Sequence, residues 1–186
     1  MKVENQHSNS LIEQCKNGDK SAQFAVYKQY YKAMYNTALR IVNDSFEAED
    51  IMQESFLAAF TKLDSFSGKV TFGAWLKRIV INNSITALKK SKRLDTVPID
   101  KVTISNVENE GSQDYNSISP SDILNKIKQL KSNYKIALTL NLIEGYDYEE
   151  IAQIMEISYQ NSRTTISRAK NKLRQLFSQQ HEKQFR

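Results

Sequence analysis

The residues best suited to gripping an anionic polymer lie between Tyr148 and Lys172. Positions 159–174 hold five bases (Arg163, Arg168, Lys170, Lys172 and Arg174) and no acid. Ser162, Ile166, Ala169, Leu173 and Leu176 recur at helical spacing and predict one buried face. The opposite side of that helix then offers Gln160, Asn161, Arg163, Thr164, Ser167, Arg168, Lys170 and Asn171. Ahead of it, Ile151, Ala152 and Met155 make the packing face of a shorter helix, and small Ala152 permits close helix approach. Ile157 is an apolar plug in the turn between the two. A short helix, a tight turn and a longer amphipathic helix with a basic outer face form a helix-turn-helix, whose second helix can enter a major groove. Its side chains can donate to phosphates and to base edges. The bland alternative is a helical hairpin with a solvated basic face. Turn spacing, the small residue and the acid-free face together favour DNA.

Two more constellations bear on function. On a helix, Asp50, Gln53, Glu54 and Leu57 fall along one outward ridge, away from Met52, Phe56 and Phe60. Acids and an amide around one apolar residue suit a protein partner carrying basic groups. The same pattern also describes a merely solvated acidic face, and on periodicity alone that plainer reading is the one favoured. Further on, Phe66, Phe72 and Trp75 precede a strongly basic run. Aromatic rings beside lysines and arginines can hold unstacked bases and phosphates. Spacings of three and four also place Phe72, Trp75 and Ile79 in a core, and core is the reading for Trp75 and Ile79; Phe66, in a loop, remains open.

Charge alternates along the chain. Residues 44–64 carry six acids (Asp44, Glu47, Glu49, Asp50, Glu54, Asp64) against Lys62 alone. Residues 77–93 carry six bases (Lys77, Arg78, Lys89, Lys90, Lys92, Arg93) and no acid. Residues 94–122 are acidic again. Phosphate should be repelled by some segments and drawn to others, which says more than the net charge of +5. No nucleophile–base pair, Gly-rich phosphate loop or Cys/His cluster is present, so neither catalytic residues nor a metal or cofactor is expected. His7 and His181 stand near opposite ends, and the lone Cys15 reads as a small buried residue. The start, MKVENQHSNS, lacks a signal-peptide core, and no apolar run reaches membrane-spanning length. A cytoplasmic protein with no membrane span is expected.

The elements that must position these groups are helices. With five Gly and two Pro in 186 residues, turns are scarce. A short helix over 10–18 ends at Gly18, and Asp19 can cap the next, about 20–42, with Phe24, Tyr27, Tyr31, Tyr35, Ala38 and Val42 close to one face. A third helix runs from near Phe46 to about Leu63, then a loop over Asp64–Val70, then a helix over Thr71–Lys92. Residues 93–120 contain both prolines, Pro98 and Pro120, and no sustained period, which predicts a flexible linker. Beyond it, Ile123, Ile127 and Leu130 start one helix. Ile136, Leu138, Leu140 and Leu142 lie in the next, which stops at Gly145; Tyr148–Met155, a turn at Glu156–Ser158 and Tyr159–Phe177 follow, ahead of a frayed tail. The fold class is therefore all-α: two small helical domains, 10–92 and 121–178, the second a helix-turn-helix.

AEDIMQESFLAAF, then FSGKVTFGAWLKRIVINNSITALKK, then YDYEEIAQIMEISYQNSRTTISRAKNKLRQLF, in this order and separation, resemble the extracytoplasmic-function group of bacterial sigma factors across residues 10–178. The resemblance implies that the first domain, region two, binds core RNA polymerase and the promoter minus-ten element. It implies that the second, region four, binds the minus-thirty-five element and the polymerase beta flap. Asp50, Gln53, Glu54 and Phe56 match the family's D-x-x-Q-E-x-F, which meets the beta-prime clamp helices; Leu57 lies on the same ridge. Trp75, Leu76, Ile79 and Asn82 match the promoter-melting W-L-x-x-I-x-x-N. With Phe66, Lys77, Arg78, Asn82, Asn83, Lys89, Lys90, Lys92 and Arg93 the minus-ten strand would be held. Glu150, Ile151 and Ala152 match the helix-turn-helix E-I-A, and Arg168, Ala169 and Lys170 its R-A-R. An anti-sigma partner is implied as well. The chain departs from the pattern at Thr86, Lys89, Lys131 and Ser162, where the family often has Asp, Arg, Pro and Val. Two other readings compete: a stand-alone helix-turn-helix regulator, and an adaptor that binds polymerase without promoter specificity.

Overall fold

The computed structural model describes residues 10–91 and 119–184, with side chains through 178. Lys92, Arg93 and all but the last two positions of the expected linker lie outside the described residues. Within them the chain is helical and contains no strand. It divides into two compact units between Ser91 and Lys92.

In the first unit a short helix, α1, covers residues 10–16. Asp19 then caps α2 (Lys20–Val42), its carboxylate accepting from the N–H groups of Ser21 and Ala22 at 2.7 and 3.2 Å. Asp44 caps α3 (Ser45–Thr61), accepting from Glu47 N at 2.9 Å, and Thr71 caps α4 (Phe72–Lys90). A cap stabilises a helix end by about 1 kcal/mol. Each fully buried large side chain contributes about 1.5–3 kcal/mol, so packing of the three long helices dominates. The core they share is built from Val26, Met34, Ile41, Ile51, Met52, Phe56, Leu76, Val80, Ile81 and Ile85. Cys15 is buried, as expected, and burial first, then the charge of Asp19, pushes its thiol pKa up.

The buried face of α2 differs from the expected one. Ala22, Val26, Met34, Thr37, Ala38, Ile41 and Val42 face inward, while Phe24 and Tyr31 are exposed. Apolar residues stand on nearly every side of this helix, and the positions of α3 and α4 select the side that is covered. Trp75 and Ile79 are likewise corrected: both are half-buried on the flank of α4, whose buried row is Phe72, Leu76, Val80, Ile81, Ser84, Ile85 and Leu88.

The second unit opens at Ser119, which joins Asp122 in a capping box over α5 (Pro120–Lys128), with Pro120 in its first turn. Those two positions, expected to close the linker, therefore begin this unit. Next come α6 (Ser132–Leu138), a π-helical turn at Thr139–Ile143, α7 (Tyr148–Met155) and α8 (Tyr159–Gln184). Ile127, Leu130, Leu138, Ala169 and Leu173 form a core, with Ile123, Tyr134, Ile143, Leu176 and Phe177 packed against it. Leu142, in the wider π turn, is exposed. One expectation changes: α8 continues past Phe177 to Gln184 instead of fraying.

Candidate protein-docking and nucleic-acid interfaces

On α3, burial of Ala48, Ile51, Met52, Ser55, Phe56 and Ala59 leaves the other side to solvent. Asp50, Gln53, Glu54 and Leu57 all lie there, and all are exposed. The Gln53 amide donates to the Glu49 carboxylate at 3.4 Å, so the ridge is acidic and partly pre-ordered. Phe56 belongs to the interior, its ring 4.9 Å from Tyr27 and 6.0 Å from Phe60. The sequence reading missed Phe46, four residues before Asp50 on the same line and 82% exposed.

On α4 the residues expected to hold a DNA strand separate into groups. Arg78, Asn82 and Lys90 are spaced by four and eight, with Ala74 and Thr86 filling the same row along the outer side. Lys89 sits beside that row, half-buried, and Lys77 lies on the helix's other flank, also half-buried. Asn83 points elsewhere: its amide donates to Ser55 Oγ at 2.9 Å, tying α4 to α3, while Ser55 Oγ donates to Ile51 O. This inter-helix bond spans 28 positions of sequence, so helical periodicity gives no sign of it. Phe66 is half-buried in an aromatic cluster. Its ring meets Phe72 edge-on at 5.6 Å and Trp75 at 5.4 Å, and Tyr30 approaches Phe72 from α2 at 5.6 Å. Phe66 is thus partly covered by the cluster and partly in solvent.

The turn between α7 and α8 is built with few residues. Asp147 caps α7 and accepts from Glu149 N and Glu150 N at 2.8 Å each, while the Glu150 carboxylate accepts from Asp147 N at 3.0 Å. Glu150 therefore fixes where α7 starts. Glu156 ends α7 in the left-handed region at φ 56°, its N–H bonded to Ala152 O. Ile157 is half-buried in the turn, and Ser158 Oγ accepts from Asn161 N at 3.2 Å to start α8.

On α8, Ser162, Thr165, Ile166, Ala169 and Leu173 are buried. With about 100° per residue, Gln160, Thr164, Ser167 and Asn171 form the central row of the opposite side. Arg163 and Lys170 flank that row on one side, Asn161 and Arg168 on the other. Neutral donors and acceptors run down the middle, with Arg163 and Lys170 along one edge and Arg168 along the other, an arrangement that matches base edges bordered by phosphates. Arg163 lies over the Tyr159 ring at 5.9 Å, and Arg174 donates to Asn171 Oδ1 at 2.7 Å. Tyr159 and Arg174 were not among the expected site residues. The hydroxyl of Ser162 is buried and has no hydrogen-bond partner. Among the described residues no group of three metal-ligating side chains occurs, and no helix is long and apolar enough to cross a membrane.

The two units correspond to two family models, Sigma-70 region 2 over residues 26–94 and Sigma-70 region 4 over residues 121–173. An RNA polymerase sigma-H factor of Pseudomonas aeruginosa is 31% identical over 172 residues, covering 86% of this chain and 88% of that one. An ECF RNA polymerase sigma-E factor of Salmonella typhimurium is 30% identical over 170 residues, with the same coverage. Among solved structures, the sigma factor RpoE of Bartonella quintana, in complex with the anti-sigma factor NepR, superposes with a TM-score of 0.56 at 25% identity. That match covers 83% of this chain and 95% of the other. A helix-turn-helix with a cationic outer face, a helical unit ahead of it that exposes an acidic ridge, and kinship along most of the chain place this protein in the extracytoplasmic-function (ECF) group of RNA polymerase sigma factors.

Proposed function

We propose that the chain works by delivery, bringing core RNA polymerase to promoters, with residues 10–92 and 121–178 doing separate parts of the task. The observation that carries this reading is the opposition of two helical faces: acidic on α3, polar and cationic on α8. Asp50, Gln53, Glu54 and Leu57 dock on the beta-prime clamp helices, where acids meet basic groups. Gln160, Thr164, Ser167 and Asn171 read base edges of the minus-thirty-five element, while Asn161, Arg163, Arg168 and Lys170 hold the adjoining phosphates. The beta flap is the partner of the second unit. The segment near Lys89–Arg93 takes an unstacked minus-ten base, and Phe66, Lys77, Arg78, Asn82, Lys89 and Lys90, with Lys92 and Arg93 beyond the described residues, hold that strand. Asn83 is assigned to packing, because its amide is bonded to Ser55.

The chain itself performs no chemical step; the polymerase is the enzyme, and the site of action is the cytoplasm. An anti-sigma factor is the natural antagonist, in keeping with the complex in which the Bartonella quintana relative was solved. In vitro transcription tests the reading. Adding the chain to core polymerase should yield transcripts from specific promoters and none from unrelated DNA. Tight, sequence-specific binding by the chain alone, with no transcript, would instead describe a stand-alone regulator.

A further inference from the structure

Phe46 and Leu57 are the two most exposed large apolar side chains among the described residues, at 82% and 68%. Both stand on α3. Phe46, Asp50, Gln53 and Leu57 follow one another at spacings of four, three and four, so with 3.6 residues per turn they share a single line along the helix. Glu54 lies beside that line, one turn beyond Asp50. The two apolar ends are eleven residues apart, or about 16 Å along the axis. Between them are two carboxylates and an amide. Burial inside the unit explains neither ring nor isobutyl group, because the helix packs through Ile51, Met52, Phe56 and Ala59 on its other side. Exposed single apolar residues are ordinary. Two that bracket a charged row on one face form a pattern found in protein interfaces, where an apolar anchor borders charged groups.

We propose that Phe46 is a polymerase-contact residue, the amino-terminal anchor of a docking line that runs Phe46–Asp50–Gln53–Leu57. This rests on the assignment of the acidic ridge to polymerase and extends it by a full turn toward the start of α3. The surface it fits is helical, with basic side chains set between two apolar patches about three turns apart. Charge complementarity selects that occupant: a nucleic acid would be repelled by Asp50 and Glu54, and an acidic protein segment likewise. The helix start is fixed by Asp44, which holds the first turn through Glu47 N, so the Phe46 ring is presented by a backbone that is already ordered.

The test measures affinity of the full chain for core RNA polymerase in four variants: Phe46→Ala, Phe46→Leu, Asp50→Lys/Glu54→Lys, and Phe24→Ala. Phe24 is a control, exposed on α2 and outside the line. Expected are a loss of about tenfold for Phe46→Ala, near-normal binding for Phe46→Leu, a larger loss for the charge reversal, and no change for Phe24→Ala. Helical content and melting should stay unchanged for Phe46→Ala, since the ring lies outside the core. Wild-type affinity for Phe46→Ala with a weakened charge reversal overturns the inference and leaves the acidic ridge as the docking surface. Unchanged affinity in the charge reversal overturns the ridge assignment, and the docking line with it. Equal losses at Phe46 and Phe24 would reduce the effect to general surface apolarity and also overturn the inference.

Discussion

The helices α3 and α8 are built alike and present opposite charges. Each begins at a side-chain cap, Asp44 for α3 and Ser158 for α8. Each buries one apolar stripe and exposes a polar face. On α3 that face is acidic; on α8 it is a neutral row edged by arginine and lysine. Amphipathicity explains why both fold against their units and says nothing about what they bind. The sign of charge and the chemistry of the middle row carry that information, because phosphate excludes the first face and attracts the second. Their three-helix and helix-turn-helix settings matter by keeping each face clear of its own core.

Reversing the acidic face should have the largest effect. Asp50→Lys/Glu54→Lys is expected to lower affinity for core polymerase about a hundredfold by placing like charges together, with far-ultraviolet circular dichroism unchanged, since both residues are exposed. Binding at wild-type strength in a direct titration would remove polymerase from this side of the comparison. Neutralising the other face should come next. Arg163→Ala/Arg168→Ala should weaken binding to upstream promoter duplex about tenfold or more. It should also lower the slope of log affinity against log salt by about two, one for each phosphate that is no longer neutralised. Core binding should hold. An unchanged salt slope would assign those arginines to something other than phosphate.

Smaller effects test the scaffolds behind the faces. Glu156 sits in the left-handed region, where an L side chain costs about 1–2 kcal/mol. Glu156→Gly should therefore raise the stability of the second unit by about 1 kcal/mol, read as a higher melting temperature with DNA affinity retained. Ser162 buries a hydroxyl without a partner. Ser162→Ala should add stability of about 1 kcal/mol or less by removing that unsatisfied group. A melting temperature lowered by this change would mean that the hydroxyl is satisfied in solution. In the first unit, burial raises the pKa of the Cys15 thiol on α1, so less thiolate is present at neutral pH and alkylation of the native chain should be far slower than of the unfolded chain.

Much of this arrangement is legible in the residues. The extents of α2, α4, α7 and the start of α8 follow from periodicity and from caps such as Asp19. So does the separation of an exposed acidic ridge from Met52 and Phe56. What periodicity leaves out depends on neighbours distant in sequence. The face of α2 that is covered turns on where α3 and α4 lie, so periodicity misplaces Phe24 and Tyr31. Asn83 looks like one more polar residue on a basic helix until its bond to Ser55 is seen. Leu142 is exposed where the chain widens into a π turn, a geometry that apolar residues at every second position do not announce. Phe46 is readable at four residues before Asp50, yet a phenylalanine at a helix start is ordinarily taken as core. For the candidate sites, the sequence shows which side chains share a face. It does not show which macromolecule meets that face, and the family resemblance supplies the polymerase.

The division of labour between the two faces is tested most directly by measuring affinity for one promoter fragment with and without core polymerase, using the wild-type chain and Asp50→Lys/Glu54→Lys. The account predicts weak binding by the chain alone, a large gain on adding polymerase, and loss of that gain in the charge-reversed variant. Equal, tight binding with and without polymerase, unaffected by the reversal, would contradict it.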